Sequence, residues 1–218
     1  QVYLDLRNAL MKGRYVPGQK ITIRGLAQDY RTSLTPAREA LHYLVAEGVL
    51  VSESNRSAYV PIMSGDRIRE LRDIRMANEG LAAARAAVQI TRKEIQYLRT
   101  LAAEIAAARE HGEVEADILK LTEFQFSVYR ASRMPRLVKI IENLWLQTGP
   151  YLKLLYPDYV RTVRSRRGDW RDRICAALKE RDGEAARREI ESDVGEALEY
   201  LAKLADAAVV MSPRAKSG

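Results

Sequence analysis

The chain has 218 residues, 47% hydrophobic and 30% charged, with 36 Lys and Arg against 29 Asp and Glu and a net charge of +7. That length implies one or two domains, and that balance a folded chain. A single cysteine, Cys175, excludes a disulfide-stapled scaffold. Two distant histidines, His42 and His111, argue against a His-rich metal centre or a Ser/His triad. No apolar run reaches the length of a membrane span and none at the start resembles a signal peptide, so the expected location is the cytoplasm, without a membrane partner. The chain begins at Gln1 rather than Met, which leaves room for an upstream tail.

The first 63 residues carry +3 and the remainder +4, so positive charge is denser at the N-terminus and favours an anionic partner such as nucleic acid. Val2, Leu6, Ala9 and Leu10 recur at helical spacing and predict a helix over 2–12. Pro17-Gly18 is a turn. Thr22 caps a short helix through Tyr30. Ser33 or Thr35 caps a third, with Pro36 in its first turn, an apolar stripe of Ala40, Leu41, Leu44 and Val45, and Gly48 at its end. Residues 49–51 and 58–60 read as two strands joined by a polar tip, 52–57. Three helices and a hairpin predict a winged helix-turn-helix, whose second motif helix enters the major groove.

From Ser64 the chain reads as long helices rich in Ala, Leu, Arg and Glu. The first runs from Ser64 or Asp66 to about Val88, with Ile68, Leu71, Ile74/Arg75, Asn78 and Leu81/Ala82 on one face. Thr91 and Glu94 form a capping box for a helix over 92–109. Further helices are expected over 113–131, 135–149, 150–166 with a break near Pro157, 169–179 and 183–208. The fold class is therefore mainly α: a winged helix-turn-helix over 1–63, an all-α bundle of six or seven helices over 64–211, and a polar, frayed tail over 212–218.

Tyr3, Leu6-Arg7, Gly13, Pro17-Gly18, Leu26-Ala27, the run Ser33-Leu34-Thr35-Pro36-Ala37-Arg38-Glu39-Ala40-Leu41, Leu44 and Glu47-Gly48 resemble the DNA-binding domain of the GntR family of bacterial transcription regulators. The resemblance implies double-stranded DNA as a partner, with Arg24, Ser33, Leu34, Thr35 and Arg38 at the groove or phosphates, and Asn55 and Arg56 at the wing tip. Each has a plainer reading: a solvated arginine, a helix-capping hydroxyl or an intrahelical pair. The position of Leu34 is usually Arg in this family. Leu cannot make the bidentate guanine contact but can touch a thymine methyl.

The helical half resembles the FCD domain of the FadR-type subfamily. The resemblance rests on Arg75-x-x-x-Glu79, Phe124-Gln125, Ala131-Ser132, Pro135-Arg136-Leu137, Ile174, Ala177-Leu178 and Asp182-Gly183-Glu184-Ala185-Ala186. It implies an effector pocket and a homodimer on a palindromic operator. Most members hold a divalent metal with one Asp and three His. Here Leu121, Gln125, Arg171 and Asp193 stand at those positions, so neither a metal nor another cofactor is expected. Arg75, Gln125, Arg171 and Asp193 point instead to a small organic acid or other anionic metabolite held by guanidinium groups, with helix facing adding Asn143 and Tyr151. The plainer reading is that Arg171 pairs with Asp193 and fills space. The run Arg161, Arg164, Arg166, Arg167, Arg171 and Arg173 reads as an anion-binding face or, more simply, a solvated one. Cys175, beside Ile174 and Leu178, reads as core.

These features predict a homodimeric, effector-responsive DNA-binding transcription regulator rather than an enzyme. No nucleophile–base pair, Gly-rich phosphate loop or metal cluster supports an enzyme carrying a nucleic-acid-binding appendage. A regulator with a closed pocket is the other alternative.

Overall fold

The computed structural model describes residues 1–156, 158–167 and 169–211, of which 163–167 and 209–211 are described by their backbone alone. The expected tail and the break at Pro157 lie outside the described residues. Ten α-helices and three short strands are present among the described residues, and the chain divides into two compact units.

The first unit comprises Gln1–Ile62 together with Trp145–Lys153. It contains α1 (Val2–Met11), β1 (Lys20–Thr22), α2 (Ile23–Asp29), α3 (Leu34–Ala46), β2 (Val51–Ser54) and β3 (Ser57–Tyr59). Thr22 Oγ1 caps α2 by accepting the Gly25 N–H at 3.0 Å. Ser33, not Thr35, holds the cap position of α3, without a side-chain capping bond. Pro36 falls in the first turn, and Gly48, at φ +70°, ends α3 by donating to the Val45 carbonyl.

The wing departs from the expected hairpin in three ways. Val49 and Leu50 are core residues rather than strand, both donating to the Leu44 carbonyl as the chain turns off α3. The second strand begins at Ser57, so the tip shortens to Asn55-Arg56. A third strand, β1, joins the sheet in the antiparallel order β1-β3-β2, with Ile21 opposite Ala58. Three residues are too few for a period-2 pattern to register.

The core of this unit draws Leu6 and Leu10 from α1, Leu26 from α2, Leu41 and Leu44 from α3, and Ala58 from β3. Leu146, far along the sequence, joins the same cluster. Tyr151 fastens its neighbourhood by donating to the Pro61 carbonyl at 3.0 Å. Buried Arg7 ties α1 to the end of α3, with Arg7 Nη1 at 2.8 Å from Glu47 Oε2 and Tyr3 donating to the same carboxylate.

The second unit comprises Met63–Leu144 and the chain from Leu154 onward. It is built from α4 (Gly65–Gln89), α5 (Arg92–Glu110), α6 (Val114–Ala131), α7 (Pro135–Thr148), α8 (Asp158–Arg167), α9 (Trp170–Lys179) and α10 (Gly183–Met211). The last residues of α7, from Trp145, belong to the first unit, and a 3₁₀ turn over Gly149–Leu155 follows. The capping box forms as read: Glu94 N–H donates to Thr91 Oγ1 at 3.2 Å and Thr91 N–H to Glu94 Oε2 at 2.8 Å.

Helix α4 packs along α10 and against α6. Its buried stripe is Ile68, Leu71, Arg75, Glu79, Ala82 and Ala86. Ile74, expected on that face as an alternative to Arg75, is exposed instead. Gly80 faces the Glu191 side chain of α10, whose Oε1 would lie 2.5 Å from a Cβ there. Cys175 is buried, in keeping with the core reading.

Gly149 is fixed by sterics. A Cβ there would lie 2.4 Å from the Leu10 carbonyl oxygen and 2.7 Å from Met11 Cα, both backbone atoms with little freedom to retreat. Gly149→Ala should therefore cost about 1–3 kcal/mol through overpacking. Gly48→Ala meets no atom within 4 Å and carries only its left-handed backbone penalty of about 1–2 kcal/mol. Urea unfolding should rank Gly149→Ala as the more damaging; the reverse order would contradict this packing.

Candidate nucleic-acid interface and buried polar cluster

The N-termini of α2 and α3 and the wing enclose a concave cleft of about 540 Å³. Arg24 enters from α2, Leu34 and Arg38 from successive turns of α3, and Arg56 from the wing tip. All four are exposed. The three guanidinium groups make no ion pair or side-chain hydrogen bond to any described residue. Ser33, Thr35 and Asn55 are exposed beside the cleft but do not line it.

Lys20, Thr22, Ser54 and Ser57 also line the cleft and were not singled out from sequence. Lys20 and Thr22 lie in β1, which was not recognised as a strand, and Ser54 and Ser57 fell within the expected polar tip 52–57. Glu53 locks this side of the wing. It takes the Lys20 ammonium at 2.5 Å, the Ser57 hydroxyl at 2.6 Å and the Tyr59 hydroxyl at 2.5 Å. The bond from Lys20, then those from Ser57 and Tyr59, lower the Glu53 carboxyl to about 2.

The second unit buries a different set of charges. Arg75 Nε donates to Glu79 Oε1 at 2.6 Å, and Tyr129 donates to Glu79 Oε2 at 2.5 Å. Arg109 Nε donates to Asp117 Oδ2 at 2.6 Å across the α5–α6 connection. Arg171 is only 2% exposed. Its Nη2 donates to Asp169 Oδ2 at 2.5 Å, and its guanidinium lies 5.6 Å from the centre of the Trp170 ring.

The expected pairing of Arg171 with Asp193 does not form. Asp169, the cap of α9, lies two residues away and captures the guanidinium first. Asp193 instead accepts from Gln125 Nε2 at 2.9 Å. Arg171 Nε and Nη1, Gln125 Oε1 and Asp117 Oδ1 are buried without a partner. Burial, followed by the like charge of Arg109, holds the Arg171 guanidinium below the usual arginine value.

Two other expected pocket residues lie elsewhere. Asn143 is exposed on α7, and Tyr151 belongs to the first unit, committed to Pro61. The arginine run also divides. Arg161 pairs with Asp158 and Arg173 with Glu189, whereas Arg171 turns inward; Arg164, Arg166 and Arg167 lie outside the described side chains. Glu79, Arg109, Asp117, Tyr129 and Asp169 were not assigned to the cluster from sequence. Only the four-residue spacing of Arg75 and Glu79 gave any signal, because the other contacts join separate elements or depend on how α9 is capped.

The donor set around Gln125 does not suit a metal. Leu121 and Arg171 offer no ligating lone pair, and the Asp193 carboxylate is engaged by Gln125. Among the described residues no group of three His, Cys, Asp or Glu is placed to hold one. No helix of the described residues is long and apolar enough to cross a membrane.

A winged helix-turn-helix with a cationic cleft, joined to a helical unit containing buried arginines, defines a DNA-binding regulator with a second, helical domain. The profile described as "Bacterial regulatory proteins, gntR family" matches residues 1–60, and that of the FCD domain matches residues 70–195. The chain is similar to the HTH-type transcriptional regulator McbR of Escherichia coli, at 32% identity over 86% of this chain and 85% of that protein. The solved structure of E. coli McbR/YncC superposes with a TM-score of 0.83 at 29% identity, covering 96% of this chain and 97% of that one. The Nta operon transcriptional regulator of Aminobacter aminovorans is 32% identical over 59% of this chain and 60% of its own length. The chain belongs to the GntR family of bacterial transcription regulators, with the FadR-type combination of a winged helix-turn-helix and an FCD domain.

Burial raises the Asp193 carboxyl to about 7, against the opposing charges of Arg171, Arg109 and Arg75. An unfolded Asp titrates near 3.9, so between about pH 4 and 7 the folded protein holds a proton that the unfolded chain lacks. Its contribution to stability should then fall as pH rises through that window. Asp193→Asn keeps an acceptor for Gln125 and should flatten this part of a Tm-against-pH profile; an unchanged slope would refute the assignment.

Proposed function

We propose that this regulator works as a homodimer, each winged helix occupying one half-site of a palindromic operator, and that a small organic anion bound in the FCD domain modulates it. Arg24, Ser33, Leu34, Thr35, Arg38, Asn55 and Arg56 contact the duplex. The unpaired guanidinium groups of Arg24, Arg38 and Arg56 in one cleft support this reading, since phosphates and guanine edges supply the missing partners. The protein performs no chemistry of its own and acts in the cytoplasm.

The effector reading is carried by Arg171, a buried guanidinium whose Nε and Nη1 have no partner, together with the unpartnered side-chain oxygen of buried Gln125. A carboxylate meets the first and a hydroxyl the second. Arg75 and Asp193 complete the surroundings by charge rather than by direct contact with Arg171. No metal takes part.

The dimer reading is supported by α4. Ile74, Ala77, Leu81 and Val88 fall on one helical face at steps of three, four and seven residues, with Ile74, Ala77 and Val88 exposed and Leu81 partly so. An antiparallel α4–α4 contact about a two-fold axis would bury this stripe against its own copy.

Arg38→Ala should weaken operator binding by about 1–3 kcal/mol if Arg38 reads a base edge, and Arg56→Gln should lower the salt slope by about one if Arg56 neutralises a phosphate. Unchanged affinity and slope in both variants would count against the DNA contacts. A screen of organic acids and sugar acids by thermal shift, followed by operator titration with the hit, tests the effector. Arg171→Leu should lose the response while keeping DNA binding, and a chelator should alter neither. Leu81→Glu in the full chain should sediment as a monomer at micromolar concentration; a persistent dimer would exclude the α4 face.

A further inference from the structure

The first turn of α3 sets a hydrocarbon among cations. Leu34 is 48% exposed and lines the same cleft as Arg24, Arg38 and Arg56. Leu34 stands one turn ahead of Ala37 and two ahead of Leu41, at the exposed N-terminal end of the buried stripe of Ala37, Ala40, Leu41 and Leu44. About half of this leucine is left in water there, so core packing accounts for it only in part. Arg38 stands one helical turn further along the same face.

Leu34 has no hydrogen-bonding group in its side chain, so it cannot read the O6 and N7 of guanine or the N6 and N7 of adenine. Phosphates give it nothing. Along the major-groove edges of the four base pairs, the apolar feature is the C5 methyl of thymine. Arg24, Arg38 and Arg56 can hold phosphates on either side and fix the register in which that methyl meets the leucine.

We propose that Leu34 is a specificity residue that reads one thymine methyl in each operator half-site, with the three arginines positioning the duplex. The proposal rests on the reading of this cleft as the DNA-binding surface. Burying one methyl against the leucine corresponds to about a four-fold gain in affinity per half-site.

The test uses the full-length protein. Selection from a random duplex pool supplies a consensus site, and each thymine in it is then replaced singly by deoxyuridine. That change removes the C5 methyl and leaves every hydrogen-bonding group in place. One thymine, at symmetric positions in the two half-sites, should lose about four-fold in affinity per half-site on losing its methyl. Leu34→Ala should show the same loss on the parent site and no further loss on the deoxyuridine site. Leu34→Arg should move the preference at that base pair toward guanine.

A consensus that tolerates deoxyuridine at every position would overturn the methyl contact while leaving DNA binding by the cleft intact. So would a Leu34→Ala protein that keeps the full methyl dependence, since another residue would then be reading it. A pool that yields no consensus would overturn both this proposal and the DNA-binding reading beneath it. The thymine replacements are made against unmodified protein, so this arm does not depend on any variant folding.

Discussion

Charge placed in hydrocarbon must be partnered, and the helical unit is arranged around that requirement. Arg75, Arg109 and Arg171 are each held by a carboxylate: Glu79 one turn along the same helix, Asp117 across a connection, and Asp169 at the start of α9. Removing one member of such a pair typically costs about 3–5 kcal/mol, because the survivor stays buried and unpaired. The pairs therefore constrain how α5 meets α6 and how α9 begins. Tyr129 extends the constraint by closing the Glu79 carboxylate from α6.

The two units use arginine in opposite ways. In the second, Arg75, Arg109 and Arg171 are each paired with a carboxylate in the interior, and Arg171 alone of the three keeps two nitrogens, Nε and Nη1, buried without a partner among the described residues. In the first, Arg24, Arg38 and Arg56 stay in water around a cleft, where they cost no desolvation until a polyanion arrives. Arg7 is the exception that separates the roles. It is buried, bound to Glu47, and fastens α1 to the C-terminal end of α3.

Much of this was legible in the sequence because its signals are local. Thr22, Ser64 and Thr91 announce helix starts through side-chain bonds to residues three positions ahead, and all three form. The winged fold and the cluster of Arg24, Leu34, Arg38 and Arg56 followed from element order and a motif run. What escaped depends on distant parts of the chain. A three-residue strand such as Lys20–Thr22 is defined by its partner across the sheet, not by its own pattern. The Arg171–Asp193 pairing was drawn from the resembling subfamily's ligand positions, whereas the cap of α9 puts Asp169 on the guanidinium. Tyr151 was misplaced because helical periodicity says nothing about which of two units a segment joins.

That last segment bears on how such regulators can be recombined. Leu146 sits in the core built from α1, α2 and α3, and Gly149 fits against the backbone at Leu10 and Met11. The compact unit that carries the winged helix is thus discontinuous in sequence, completed by Trp145–Lys153 from the end of α7 and the turn that follows it. A chimera joined only at residue 63 would pair a foreign head with a native 145–153 segment shaped for another core. Grafting operator specificity between relatives therefore calls for exchanging two stretches of chain together, and natural divergence of the head is expected to leave matched changes in both.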